Sequence, residues 1–152
     1  MAKLVFTFDD GVRTHYDLVR PLFKKHGMTG TFFIPGVRTM WVKRMQQIAE
    51  HDGRDMQERG LTWEEIRELD QEGFEIGNHT LTHQNMCHQT RDGCYEQVVR
   101  LDVEFAKERV RPAETFCYPG YHAGPPVAAI LRAIGLKFAR IGYMKDNPAA
   151  GE

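Results

Sequence analysis

The chain has no long apolar run and no strong excess of charge of either sign. Its 152 residues include 20 basic and 21 acidic side chains, which gives a net charge of -1. This balance argues against a nucleic-acid-binding surface and against a polybasic membrane patch. No segment approaches the roughly 18 apolar residues of a membrane span. We therefore expect no nucleic-acid partner and no membrane partner, and the length favours one domain with its own core.

Cysteine is scarce, with only Cys87, Cys94 and Cys117 in the chain. The number is odd and the spacing does not match a zinc finger, so a reduced, cytoplasmic setting is expected. The sequence Met1–Lys3 leads at once into strand-like residues, and no secretory signal is seen. Because no basic neighbours are arranged to activate a thiolate, Cys87 and Cys94 are expected to serve packing.

Segments typical of strands alternate with segments typical of helices. A capping-box sequence at Thr62–Glu65 predicts the start of one helix. The alternation predicts helices packed outside a mainly parallel sheet, in one domain over residues 1–144 with a loose tail over 145–152. The predicted strands cover about residues 3–8, 29–34, 75–77, 114–117 and 137–141, and the predicted helices cover about 16–26, 40–59, 62–73, 91–108 and the residues from 125 onward. Five strands are too few for a closed barrel.

Two adjacent carboxylates, Asp9 and Asp10, follow the apolar run Leu4–Phe8 directly. An Asp-Gly turn after a strand is common and accounts for Asp10 followed by Gly11. It does not account for the pair, since adjacent acids repel each other and favour a nearby cation or a shared proton. On an extended backbone the two side chains point in different directions, so one can bind a metal and the other can act on water. A phosphotransferase of the haloacid dehalogenase type needs Asp-x-Asp, so contiguous acids argue against that class.

Two histidines, His79 and His83, follow a short strand-like segment that ends at Gly77. Their spacing lets both imidazoles face one cation if the backbone turns helically there. Seven histidines make a chance pair easy to find, but the position after a strand end favours a site. A zincin would carry Glu after the first histidine, where Thr80 stands. One Asp with two His forms an open metal site, which suits zinc first and also cobalt, nickel or iron.

A third candidate segment, Phe116–His122, carries a Pro-Gly turn after another predicted strand. A turn with aromatic packing is an adequate explanation by itself. As part of a site, the turn could direct a backbone N–H at an oxyanion and place Tyr118 or Tyr121 beside a sugar ring. Trp41 and Trp63 are expected in the core or in a groove wall. The polar candidates share a position just past a strand end, where barrels of β/α units place their active sites: Asp9, Asp10, His79, His83, Tyr118 and Arg140.

Together these segments resemble the polysaccharide deacetylase family, the NodB-homology domain of carbohydrate esterase family 4. Thr7–Gly11 is similar to its first motif and His79–His83 to its second, while Phe116–His122 is a Tyr-Pro version of its third. The likeness runs from about Val5 to Arg140. It implies an α/β fold, a distorted (β/α) barrel that is incomplete here. It also implies a divalent-metal-dependent hydrolase that removes N- or O-acetyl groups from a carbohydrate.

The resemblance also implies roles for individual residues. Carried over by position, Asp10, His79 and His83 are the metal ligands and Asp9 is the general base. The substrate it implies is an acetylated carbohydrate or a small amide, and the bond hydrolysed is a carbon–nitrogen bond other than a peptide bond.

The sequence departs from the family pattern at two places. Cys117 stands where the family usually has an arginine that braces the base, and Arg140 is the expected substitute. The family's last strands, with a Trp-bearing motif and a Leu-x-His that donates the general acid, have no counterpart, so His122 is the expected stand-in. The alternative function is a weak or silent remnant that binds metal or carbohydrate. Missing strands would expose sheet edges, which favours association of two copies.

Overall fold

The computed structural model describes residues 4–36, 60–121, 123 and 125–142. The strands are β1 (Thr7–Phe8), β2 (Thr31–Ile34), β3 (Glu75–Asn78), β4 (Thr115–Cys117) and β5 (Phe138–Arg140). The helices are a π-helical turn (His15–Val19) that leads into α1 (Arg20–Lys25), then α2 (Trp63–Gln71), α3 (Arg91–Lys107) and α4 (Pro125–Ile134), with 3-10 turns at Met86–His88 and Pro119–Tyr121. The predicted helix over 40–59, Trp41 and the predicted tail over 145–152 lie outside the described residues.

The five strands form one sheet in the order β1-β2-β3-β4-β5, and every neighbouring pair is parallel. This confirms the predicted parallel sheet with helices between its strands. Every residue of β2 is buried, as expected of a parallel strand covered on both faces. β1 is shorter than predicted, because only Thr7 and Phe8 pair as a strand with β2.

The sheet is curled into a half-barrel. In a flat sheet, β1 and β5 would lie roughly 19 Å apart, since neighbouring strands are about 4.8 Å apart. Yet Arg140 of β5 donates a hydrogen bond to Asp9, the residue that follows β1. An arginine side chain cannot span the flat distance, so the two edges must approach each other across the concave face. The expectation of an incomplete (β/α) barrel is confirmed.

Close packing on the concave face depends on one glycine. A Cβ atom at Gly77 would lie 2.4 Å from the ring of Phe33, so β3 can pass this ring only with glycine there. The two edges of the sheet are less well covered: Leu4 and Val5 beside β1, and Phe138 on β5, are each more than 70% exposed. The expectation that two copies associate through such edges stays a prediction.

Several local predictions can be checked directly. Thr62 and Glu65 form the predicted reciprocal capping box at the start of α2. Trp63 packs edge-on against Phe105. Cys94 is buried as expected, whereas Cys87 is exposed, so its predicted packing role is wrong. No helix in the described part of the chain has the length and apolar character needed to cross a bilayer.

A histidine that the sequence analysis did not single out lies between the first helical turn and the sheet. The ring centroid of His15 is 5.5 Å from that of Phe8 and 5.6 Å from that of Phe32. Its Nδ1 atom is buried with no hydrogen-bond partner among the described residues. Burial lowers the pKa of His15 from 6.5 to about 4, although Asp10 and Asp9 act to raise it. The imidazole is therefore neutral at pH 7.

This burial predicts a pH-dependent stability. Between pH 6.5 and about 4 the unfolded chain binds a proton at His15 that the folded chain does not, so stability falls as the pH is lowered through this range. The loss is up to roughly 3 kcal/mol, because one pKa unit corresponds to about 1.4 kcal/mol. Urea unfolding at several pH values measures the free energy of unfolding. As the pH is lowered, this free energy should fall less for His15→Phe than for the wild type. The exposed His26, changed to Gln, is the control; equal slopes for His15→Phe and wild type would contradict the prediction.

Candidate metal centre

The two acids leave the end of β1 in different directions because the chain turns sharply there. Asp10 has a φ angle of 74° and Gly11 one of 59°, both in the left-handed region. The sequence analysis assumed an extended backbone at Asp10, and this assumption is wrong. Left-handed backbone is strained for Asp and easy for Gly. A Cβ at Gly11 would also lie 3.1 Å from Ile34, so glycine fits this turn for two reasons.

The two histidines reach one point without a helix between them. The backbone from His79 to His83 is an irregular loop, with positive φ angles of 65° at Thr80 and 54° at His83. The condition of a helical turn, on which the spacing argument depended, is thus not met. Even so, the Nε2 atoms of His79 and His83 lie 3.2 Å and 2.9 Å from Oδ1 of Asp10. The left-handed residues bring the rings together with centroids 4.8 Å apart.

A hydrogen bond to a backbone carbonyl fixes the ring of His79. Its Nδ1 atom lies 2.7 Å from the carbonyl oxygen of Cys117, which can only accept, so Nδ1 carries the hydrogen. In the neutral ring, Nε2 then presents a lone pair to the carboxylate of Asp10. An imidazole nitrogen and a carboxylate oxygen this close share a proton or bind a common cation. This arrangement fits a divalent metal.

Asp10 is held in its ionised form. Burial acts to raise its pKa, but hydrogen bonding and charge interaction with His79 and His83 outweigh burial and hold the pKa well below its ordinary value. Its side chain remains 28% exposed, while that of His79 is only 2% exposed. The site is thus anchored on its buried side and open to solvent on the other, as an open metal site requires.

Two groups of three potential ligand side chains occur in the described part of the chain, each with ligand atoms within 4.8 Å of one another. They are Asp10 with His79 and His83, and Asp9 with His79 and Cys117. The second group already contains a cation, because Arg140 is paired with Asp9 and lies 3.0 Å from the sulfur of Cys117. Only the first group is left to bind a metal.

Arg140 contacts both Asp9, the candidate base, and Cys117, which stands where the family usually has an arginine. Cys117 and Arg140 are register partners on β4 and β5, so Arg140 reaches Asp9 from one strand farther than an arginine at 117 would. Burial raises the pKa of the Cys117 thiol to about 12, and Asp9 adds to this effect. The thiol is therefore neutral and can accept from Arg140.

Of the other predicted site residues, Tyr118 has a described side chain. Tyr118 is buried, and its ring packs edge-on against Phe116. Burial raises the pKa of Tyr118 to about 12, and its backbone N–H is donated to the carbonyl of Arg140. The structure thus places the Tyr118 side chain in a hydrophobic core cluster. The side chain of Tyr121 and the whole of His122 lie outside the described residues.

Three polar residues near the histidine loop were missed. Asn78 is fully buried and hydrogen-bonds to Thr80 and to Asp102, and Gln97 of α3 accepts from Thr82. Asn78 could have been noticed, since a buried strand rarely ends in an amide without a partner. Gln97 and Asp102 carry no such signal, because each is an ordinary residue of a helix.

Sequence comparisons with known proteins identify a family. The family model described as polysaccharide deacetylase matches residues 2–139. A peptidoglycan-N-acetylmuramic acid deacetylase of Bacillus subtilis is 29% identical over 105 residues, which are 68% of this chain and 32% of that protein. A putative polysaccharide deacetylase of the same organism is 31% identical over 80 residues, or 53% of this chain and 23% of that protein. The chain thus spans about a third or less of these relatives.

Solved structures show the same fold at low sequence identity. A Streptococcus pyogenes deacetylase in complex with acetate has a TM-score of 0.69 at 18% identity, covering 96% of this chain and 67% of that one. A chitin deacetylase from Colletotrichum lindemuthianum gives 0.69 at 16% identity, with coverages of 90% and 54%. A family 4 pseudoenzyme from Bacillus anthracis gives 0.63 at 20% identity, with coverages of 89% and 41%. Because the family model covers most of the sequence, we conclude that this chain belongs to the polysaccharide deacetylase family.

Proposed function

We propose that the chain is a metal-dependent hydrolase that removes acetyl groups from a carbohydrate, with an amide bond as the bond broken. The observation that carries this proposal is that two adjacent carboxylates have different partners. Asp10 faces two imidazoles, whereas Asp9 faces a guanidinium. One acid is therefore placed to bind a cation and the other is kept away from it. The cytoplasmic location stays a prediction.

Asp10, His79 and His83 would hold the cation, and zinc is the first candidate for this donor set. When bound, the cation supplies a Lewis acid that polarises an acyl carbonyl and lowers the pKa of water toward ~7. The tautomer of His79 supports this role, since its Nδ1 is committed to the Cys117 carbonyl and its Nε2 is left as the donor.

Asp9 would act as the general base. Its Oδ2 atom is held by Arg140, while its Oδ1 atom is buried with no hydrogen-bond partner among the described residues. Oδ1 is therefore the atom that can accept a proton from the attacking water. The water oxygen bonds to the acyl carbon and the carbon–nitrogen bond breaks. The leaving amine takes a proton from a separate acid, and Asp9 later returns its proton to solvent, so the products are acetate and an amino sugar.

The developing oxyanion needs a donor in addition to the cation. The N–H of Tyr118 cannot serve, because it is donated to Arg140. We assign this role to a later N–H of the turn Pro119–Tyr121, in which Gly120 has a φ angle of 65°. His122 stays the candidate for the acid that protonates the leaving amine.

The metal site is tested with near-isosteric variants. We expect about one zinc per wild-type chain after reconstitution, and loss of this binding in Asp10→Asn and His83→Gln, with loss of acetate release from acetylated sugars. His26→Gln is the matched control, since that histidine is exposed at the end of α1 and belongs to neither group of potential ligands. Elemental analysis and an acetate assay on the same samples measure both effects. Absence of zinc from the wild type under every reconstitution would contradict the proposal.

The arginine brace is tested by moving it. Arg140→Ala should lower kcat about 10–100-fold, because Asp9 loses its orientation, and should leave zinc affinity unchanged. The double variant Cys117→Arg/Arg140→Ala returns the guanidinium to the family position on the neighbouring strand and should recover part of the lost rate. Steady-state kinetics and zinc titration measure these effects. Full activity in Arg140→Ala would show that the brace is not needed.

The alternative is a chain that binds metal but turns over weakly or not at all. It is supported by the fold that this chain shares with a family 4 pseudoenzyme from Bacillus anthracis. Amide cleavage depends on protonation of the leaving group, which contributes ~10²–10⁴-fold in rate, and esters with good leaving groups depend on it less.

We therefore expect a higher ratio of ester to amide hydrolysis in this protein than in a family enzyme of full length. The ester is 4-nitrophenyl acetate and the amide is an N-acetylated chitin oligomer. Initial rates on both substrates, measured beside an enzyme of full family length, check this. Zinc binding without turnover of either substrate would favour the silent form. An amide rate equal to that of the longer enzyme would show that the acid is present in this chain.

A further inference from the structure

The histidine loop is held by hydrogen bonds at every step between its two candidate ligands. The N–H of His79 donates to the carbonyl of Ile34 in β2. The next three N–H groups also donate hydrogen bonds, each 2.9 Å long. The N–H of Thr80 donates to the Asn78 side chain. The N–H of Leu81 donates to the backbone carbonyl of Gln97 and that of Thr82 to the Gln97 side chain. Every N–H group from residue 79 to residue 82 therefore has a hydrogen-bond acceptor, which restrains the backbone of the loop.

Asn78 uses its whole amide group. It is fully buried at the end of β3, and its Oδ1 atom accepts from Thr80. Its Nδ2 atom donates to the carbonyl of Val98 at 3.0 Å and to the carboxylate of Asp102 at 2.8 Å. Both acceptors belong to α3, so Asn78 ties the loop to that helix. Burial raises the pKa of Asp102, although its bond to Asn78 acts in the opposite direction.

Gln97 holds the second half of the loop from the same helix. Its Oε1 atom accepts from both the N–H and the hydroxyl of Thr82, each at 2.9 Å. The loop needs such support, because Thr80 and His83 have positive φ angles. This conformation is costly for a β-branched residue such as Thr80. Without the helix, the backbone would relax and the two imidazoles would separate.

We propose that Asn78 and Gln97, with Asp102 behind Asn78, are positioning residues that preform the two-histidine half of the metal site. We call this set the α3 latch. The inference rests on the proposed function, since the histidines are taken as metal ligands. It goes further in naming which residues set metal affinity without touching the metal. Loss of a residue that orients a ligand typically weakens metal binding 10–100-fold.

The first test removes the Gln97 side chain. Gln97→Ala should weaken zinc binding about 10–100-fold, measured by competition with a chromophoric chelator, and should change the cobalt absorption spectrum. Gln97→Glu keeps an oxygen acceptor for Thr82 and should bind zinc at least as tightly as the wild type. Gln89→Ala is the matched control, because it removes a glutamine hydrogen bond of 2.8 Å just outside the loop. Unchanged zinc affinity in Gln97→Ala would overturn the proposal.

A second test uses the pair that Asn78 forms with Asp102. Asn78→Asp keeps the acceptor for Thr80 but places two carboxylates together, so zinc affinity should fall. Adding Asp102→Asn restores a donor opposite position 78 and should recover at least part of the affinity. A purely structural role would lower the unfolding midpoint in both variants and leave their zinc affinity alike. That result would contradict the latch.

Hydrogen exchange separates this inference from the proposed function. In the metal-free wild type the amides of Thr80, Leu81 and Thr82 should exchange slowly, and that of Thr82 should exchange faster in Gln97→Ala. Equal exchange in the two proteins overturns the latch whether or not zinc binds. A wild type that binds no zinc but shows the predicted exchange contradicts the proposed function and still supports the anchoring of the loop by Gln97.

Discussion

The ion pair between Asp9 and Arg140 joins the two ends of the open sheet, and the proposed chemistry of the site depends on it. Its partners lie just past β1 and on β5, which the curl of the sheet brings opposite each other although three strands lie between them. It also occupies Asp9, so Asp10 alone is left to face the imidazoles. The guanidinium thus pairs with one of two adjacent acids, and the other acid faces the two imidazoles.

Backbone strain is concentrated at the same place. Four non-glycine residues among those described have positive φ angles, and three of them are Asp10, Thr80 and His83. Each such residue costs about 1–3 kcal/mol unless neighbouring contacts enforce it. The contacts here are specific: a glycine follows Asp10, Asn78 at the end of β3 accepts from the N–H of Thr80, and Gln97 of α3 accepts from the next two N–H groups. The left-handed backbone at Thr80 and His83 lets two histidines four residues apart bring their rings together. The sequence analysis had expected a helical turn to do this.

Sequence reasoning was sufficient for the features that depend on local pattern. Apolar runs located the five strands, and their carboxyl ends located Asp9, Asp10 and both histidines on one edge of a parallel sheet. It was insufficient where a long-range contact decides the outcome. The placement of Tyr118 in the core depends on pairing between β4 and β5, and the role of Gln97 depends on how α3 lies against the loop. The neutral state of His15 follows from burial between two phenylalanines, which no spacing reveals.

In the proposed function, metal binding and turnover depend on different groups. The three candidate ligands, the proposed base and its arginine all lie within the described five-stranded sheet and its loops, and the α3 latch lies there as well. The curl of the sheet, and not closure of a barrel, brings Asp9 to Arg140. The proposed metal site can therefore form within a half-barrel. In the proposed reaction the acid for the leaving amine is a group outside this set, so loss of that group would lower amide cleavage without removing the proposed ligands.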